Sequence, residues 1–163
     1  MAQGCAHPHD SPGLTGTALR ARLAAAEALC ARRDKRLTEP RRRVLELLLQ
    51  AGQPVKAYDL MATYHDRAPA KPPTVYRALD FLEKEGFAHR IESLNAFVAC
   101  GQAQAGEGQL HAAAFLICDC CGAAKEIDAR PADELSEAAE DAGYRISAVT
   151  IEAHGLCRSC QDA

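Results

Sequence analysis

No stretch of this sequence is apolar for long. Its apolar runs are short: Val44-Leu45 and Leu47-Leu48-Leu49 are split by charge, and AAAFLIC ends after seven residues, far short of the roughly 20 residues that span a bilayer. The opening residues MAQGCAHPHDSPG lack a cationic start followed by an apolar core, so no secretory leader is expected. These absences predict a cytoplasmic protein with no membrane partner. No nucleophile motif is present either, which argues against an enzyme and against a small-molecule substrate.

Cysteine, by contrast, is plentiful: 8 of 163 residues. Cytosolic thiols are kept reduced, so clustered cysteines there bind metal or do redox chemistry more often than they staple a fold. The clearest cluster is Cys118-x-x-Cys121 with Cys157-x-x-Cys160. Each pair can clamp two corners of a tetrahedron, and two pairs together make a closed four-cysteine zinc site, structural because no coordination position is left for substrate. The 35 residues between the pairs exceed a simple zinc ribbon but hold a helix and a strand that return the chain to its start. Cys120, inside CDCC, has no obvious partner and is expected to be a free thiol.

Charge divides the chain. Residues 1–100 carry 15 Lys+Arg against 11 Asp+Glu, net +4; the remaining 4 and 11 leave residues 101–163 at −7. A basic half suits a phosphate backbone, which repels an acidic one.

The pattern along the chain predicts an α+β protein. Residues 1–16, rich in glycine, proline and small polar types, read as a flexible lead; Cys5, His7 and His9 lie within it. Apolar positions recur at helical spacing from Thr17 to about Arg33 (Leu19, Leu23, Ala26, Cys30). A second helix follows Leu37-Thr38-Glu39-Pro40, with Thr38 as cap and Gly52 as stop. A third covers KAYDLMATYHDR, where His65 reads as a surface residue, and a fourth runs from Lys71-Pro72-Pro73 to Gly86. The period then changes to the alternation of FAHRI and AFVAC, split by a turn at 92–95. Helices followed by a hairpin make a winged helix over 17–100. A glycine-rich hinge spans 101–110, and 111–163 holds strands AFLIC, AAKEI and RISAVTIEA with a helix from Pro131 to about Ala142.

In the fourth helix Val75, Leu79 and Leu82 share the inward face, leaving Tyr76, Arg77, Asp80 and Lys84 outward. An outward arginine can bond a guanine edge, and a tyrosine can reach a phosphate or thymine methyl. The run Arg41-Arg42-Arg43 at a neighbouring helix start adds positive charge, and Lys71 and Thr74 stand at the start of the fourth helix. A dispersed set, His89, Cys100, His111 and Glu126, offers nitrogen, sulfur, nitrogen and oxygen donors on both sides of the hinge, a mixture suited to tetrahedral zinc and poorly to magnesium or calcium.

The segments AKPPTVYRALDFLEKEGFAHRIESLNAFVAC, FLICDCCGAAKE and IEAHGLCRSC resemble the Fur family of metal-dependent repressors, most closely its zinc-uptake-regulator branch, over about Leu23 to Cys160. The resemblance implies a C-terminal α/β dimerisation domain with structural zinc on Cys118, Cys121, Cys157 and Cys160. It implies a regulatory zinc on His89, Cys100, His111 and Glu126, thus two ions per subunit. It also implies DNA contacts from Tyr76, Arg77 and Tyr58, to which the residue pattern adds Arg41, Arg42, Lys71 and Thr74. The expected partners are double-stranded operator DNA and a second copy of the chain, with zinc-uptake genes repressed. The His-rich cluster of iron-sensing members is absent, and the Cys100 thiolate favours zinc over ferrous iron. A sensor of another metal or of peroxide, a zinc hydrolase using Glu126 as base, and a thiol redox protein are the alternatives.

Overall fold

The computed structural model describes residues 12–64, 71–101, 112–127, 132–146 and 149–161. These fall into two compact units, one before residue 102 and one after residue 111.

The N-terminal unit contains α1 (Gly16–Arg32), α2 (Glu39–Ala51), α3 (Ala57–Thr63) and α4 (Pro72–Lys84), followed by β1 (Ala88–Ile91) and β2 (Ala96–Ala99). Helices α2 and α4 each begin with proline in the first turn, where the missing N–H would have had no intrahelical partner. Thr38 occupies the cap position of α2 but makes no side-chain cap bond, so the capping expected of it is confined to backbone geometry. Gly52 ends the helix in the left-handed region at φ 62 and bonds back to the Leu48 carbonyl, the arrangement glycine adopts without a Cβ penalty. Helix α3 stops at Thr63, shorter than its sequence pattern, and His65 lies outside the described residues.

The helices are held by one apolar core in which Leu23, Val44, Leu48, Leu60, Val75, Leu79 and Leu82 are almost fully buried. Strands β1 and β2 pair antiparallel, Ala88 opposite Ala99 and Ile91 opposite Ala96. Asn95 turns the hairpin at φ 46, which asparagine tolerates better than most residues. A third stretch of extended chain, invisible in the period-2 pattern, joins this wing: Val55 and Phe97 exchange N–H···O bonds of 2.8 Å in both directions. The end of the lead is docked, because the Leu14 N–H donates to the Leu49 carbonyl at 2.8 Å and Leu14 packs on the core. Cys5, His7 and His9 lie outside the described residues.

The C-terminal unit contains β3 (Ala112–Cys118), β4 (Ala124–Ile127), α5 (Ala132–Asp141), β5 (Val149–Gly155) and the short α6 (Arg158–Gln161). The sheet order is β4-β3-β5. Strand β3 is antiparallel to β4 and parallel to β5, and a parallel neighbour requires a crossover of a dozen or more residues, here carrying α5. Strand β5 covers Val149–Gly155, whose seven residues pair one to one with Ala112–Cys118 of β3; Arg145, where the sequence pattern starts the strand, lies outside it. Among the described residues no helix is long and apolar enough to cross a membrane.

Leu48 has no exposed surface and sits at the centre of the N-terminal core. Leu48→Ala is expected to destabilise this unit by about 2–5 kcal/mol, read as a lowered midpoint in denaturant unfolding followed by circular dichroism.

Candidate metal centre and nucleic-acid interface

The parallel pairing of β3 with β5 places Cys118, the last residue of β3, opposite Gly155 at the end of β5. Both strands then turn. After Cys118 the chain reverses through Gly122, at φ 72, with the Gly122 N–H bonded to the Cys118 carbonyl at 2.8 Å and the Cys118 N–H to the Ala123 carbonyl at 2.9 Å. After Gly155 it enters the turn that leads into α6, where the Cys160 N–H bonds the Cys157 carbonyl at 2.9 Å. The two turns are clasped by the Asp119 N–H to the Gly155 carbonyl at 2.8 Å and by His154 Nδ1 against Asp119 Oδ1 at 2.9 Å.

Four sulfurs meet there. The Sγ atoms of Cys118, Cys121, Cys157 and Cys160 all lie within 4.8 Å of one another, and Cys121 and Cys157 are 3.8 Å apart. A tetrahedron with zinc–sulfur bonds of about 2.3 Å has edges of about 3.8 Å, so the donor set and its spacing fit zinc. Cys118 and Cys160 are buried, Cys121 and Cys157 half-buried. Backbone N–H groups of Cys157, Cys121 and Cys120 point at the Cys118 sulfur and bring its thiol down to about 6, whereas burial pushes Cys121 and Cys160 up. N–H···S bonds of this kind favour the thiolate, which is the form that binds metal. Cys120 is not the free thiol expected: it is disulfide-bonded. Its place beside two matched pairs gave no spacing by which to pair it.

Of the dispersed set, the N-terminal unit brings two members together. His89 on β1 stands opposite Val98, two residues before Cys100, so His89 and Cys100 are diagonal neighbours on one face of the hairpin. Their donor atoms lie within 4.8 Å of each other. Both are buried, at 8% and 1% exposure, and His89 is the one buried polar or charged side chain among the described residues. The Cys100 N–H extends the ladder by donating to the Phe87 carbonyl at 2.9 Å. Glu126 is half-buried on β4, opposite Phe115, in the C-terminal unit. His111 lies outside the described residues.

Helix α4 turns Val75, Ala78, Leu79, Phe81 and Leu82 into the core and exposes Tyr76, Arg77, Asp80 and Lys84. Tyr58, in the first turn of α3, is 76% exposed and Tyr76 is 53% exposed. Lys71 is exposed just before α4, and Thr74 is half-buried with its N–H on the Lys71 carbonyl at 2.9 Å. The arginine run has a different character. Arg41 stacks on the Phe81 ring at 3.6 Å from its centroid and donates to the Arg36 carbonyl at 2.6 Å. Arg42 pairs with Glu27 at 2.9 Å, and Arg43 bonds Glu46 at 2.9 Å and the Tyr64 carbonyl at 3.0 Å. These acceptors come from other parts of the fold or from the next helical turn, so the run's internal ties could not be read from its composition.

A winged helix joined to a second unit built around four convergent cysteines defines a class of metal-binding transcription regulators. The family description that matches is the ferric uptake regulator family, over residues 32–154, and the chain belongs to that family. It is 44% identical to the zinc uptake regulation protein of Escherichia coli (strain K12) over 140 residues, 85% of this chain and 80% of that protein. Against a ferric uptake regulation protein of Staphylococcus aureus the identity is 25%, covering 77% of this chain and 88% of the relative. Among solved structures, a zinc uptake regulator complexed with zinc and DNA superposes with a TM-score of 0.79 at 40% identity, covering 90% of this chain and 97% of that one. Holo XcZur gives 0.75 at 44% identity, with coverages of 88% and 99%.

Cys157→Ser removes one corner of the four-sulfur cluster. Zinc retained through exhaustive dialysis is expected to fall by about one equivalent per chain, and the melting temperature of the C-terminal unit with it, because metal binding there is coupled to folding. Unchanged zinc content and melting would exclude the cluster as a metal centre.

Proposed function

We propose that this chain is a zinc-responsive transcriptional repressor that works in the cytoplasm as a homodimer on palindromic operator DNA, and that the genes it represses serve zinc uptake. The observation that carries this reading is the pairing of an exposed Tyr76-Arg77 face on α4 with a chain 44% identical to a zinc uptake regulation protein. Two zinc ions per subunit are proposed. One, on Cys118, Cys121, Cys157 and Cys160, is structural. The other is regulatory and held by His89 and Cys100, with His111 and Glu126 as its remaining ligands. Neither site leaves a coordination position for catalysis, so the protein is proposed to be a regulator and not an enzyme.

The proposed switch is a linkage. Ligands contributed from wing, hinge and C-terminal unit fix the two winged helices of the dimer at the separation of two half-sites. Zinc and DNA then raise each other's affinity by one factor, typically 1–3 kcal/mol. Zinc supplies a Lewis-acidic centre that gathers these ligands; the protein residues do the rest. Arg77 and Tyr76 read base edges, while Tyr58, Lys71 and Thr74 set register on the phosphates. Arg41 and Arg42 are proposed to contribute charge to that surface from within their intramolecular ties.

With the four-cysteine zinc in place, stripping the regulatory ion with a mild chelator is expected to weaken operator binding roughly 5–150-fold, and His89→Ala is expected to reproduce the loss in the presence of zinc. Fluorescence anisotropy on operator duplexes measures both; equal affinity with and without the ion overturns the switch. Arg77→Ala is expected to cost about 1–3 kcal/mol of operator binding and to relax specificity at the base it reads, measured by competition among duplexes altered at single positions.

A further inference from the structure

Arg22 lies on α1, 78 positions from Cys100, yet its Nη2 donates to the Cys100 carbonyl at 2.6 Å and reaches the Gly101 carbonyl at 3.3 Å. On its other side the Cys100 peptide is held by its N–H on the Phe87 carbonyl, 2.9 Å away. The backbone that carries the Cys100 sulfur is therefore fixed at both ends, by the wing ladder and by a guanidinium. The same arginine borders an open cleft of about 430 Å³ whose walls include Leu14, Ala18, Leu48, Leu49 and Val98. The bond to Cys100 is part-buried, and a charge-assisted hydrogen bond is about twice as strong as a neutral one. Nothing in the Tyr76-Arg77 face of α4 requires this contact.

We infer that Arg22 is a positioning residue for the regulatory metal site: by holding the Cys100 and Gly101 carbonyls it orients the Cys100 thiolate and sets the zinc concentration at which the protein responds. This rests on the reading that His89 and Cys100 are zinc ligands. Residues that orient metal ligands from outside the coordination shell typically account for 10–100-fold in metal affinity. Both bonds leave the one Nη2; lysine can supply the charge but not the rigid planar guanidinium that aims this nitrogen at the two carbonyls, so Arg22→Lys should fall between the parent and Arg22→Ala.

The test uses the full-length protein with its four-cysteine site loaded. Zinc affinity of the remaining site is measured by competition with a fluorescent chelator, and operator binding is titrated against buffered free zinc. Cobalt substitution supplies a thiolate charge-transfer band that reports the geometry at Cys100. Arg22→Ala is expected to weaken zinc binding about 10–100-fold, to shift the zinc midpoint for operator binding by a similar factor, and to alter the cobalt band. Arg22→Lys is expected to restore part of each. An unshifted zinc midpoint, or a lowered operator plateau at an unshifted midpoint, would mean that Arg22 only supports the fold. Cys100→Ser separates this failure from failure of the underlying reading. If Cys100→Ser loses the competing zinc and the cobalt band while Arg22→Ala changes neither, the inference about Arg22 is wrong; if Cys100→Ser keeps both, the ligand assignment fails and the inference with it.

Discussion

The parallel register of β3 on β5 is the constraint on which the C-terminal unit depends. Seven consecutive residues pair one to one, from Ala112 opposite Val149 to Cys118 opposite Gly155. Both strands consequently end at the same level, and each then makes a turn containing a C-x-x-C pair. A slip of one residue would flip every side chain on β5 to the other face and shift the second turn by one residue's rise. The 35 residues that separate the pairs in sequence are the crossover a parallel ladder requires. Distance along the chain is thus the means by which four thiols become neighbours.

In the N-terminal unit the same economy appears on a smaller scale. The hairpin that forms the wing also brings His89 and Cys100 together, since diagonal positions on one face of an antiparallel ladder are close. Pairing of Val55 with Phe97 anchors that hairpin to the segment just before α3, whose first turn exposes Tyr58. The wing thereby joins a candidate ligand pair to the segment that leads into an exposed aromatic.

Much of this was legible in the sequence because the relevant signals are local. Proline at the start of α2 and α4, glycine at the end of α2 and the change from helical to alternating periodicity near Phe87 placed the elements to within a few residues. The inward face of α4 and the four-cysteine cluster followed from spacing alone. What escaped was set by partners distant in the chain. The Val55 bridge is too short to show alternation. The disulfide at Cys120 has no spacing signature, and the bond from Arg22 to Cys100 spans 78 positions with no motif at either end.

The arginine run shows how a count of cations overstates the charge left unpaired. Arg42 and Arg43 sit 2.9 Å from Glu27 and Glu46, Lys84 is 3.0 Å from Asp80, and Arg90 is 3.1 Å from Glu92. These are four of the 15 Lys and Arg counted in residues 1–100, each matched to a carboxylate before any polyanion arrives. Each phosphate neutralised by a protein cation releases counterions and steepens the fall of affinity with salt, by about 0.9 in logarithmic slope per contact. A surface whose cations are already matched releases fewer. On the proposed DNA-binding face, discrimination among duplexes would then fall more heavily on shape and on stacking and methyl contacts than on charge, and bulk DNA, which offers charge but not fit, would compete less well.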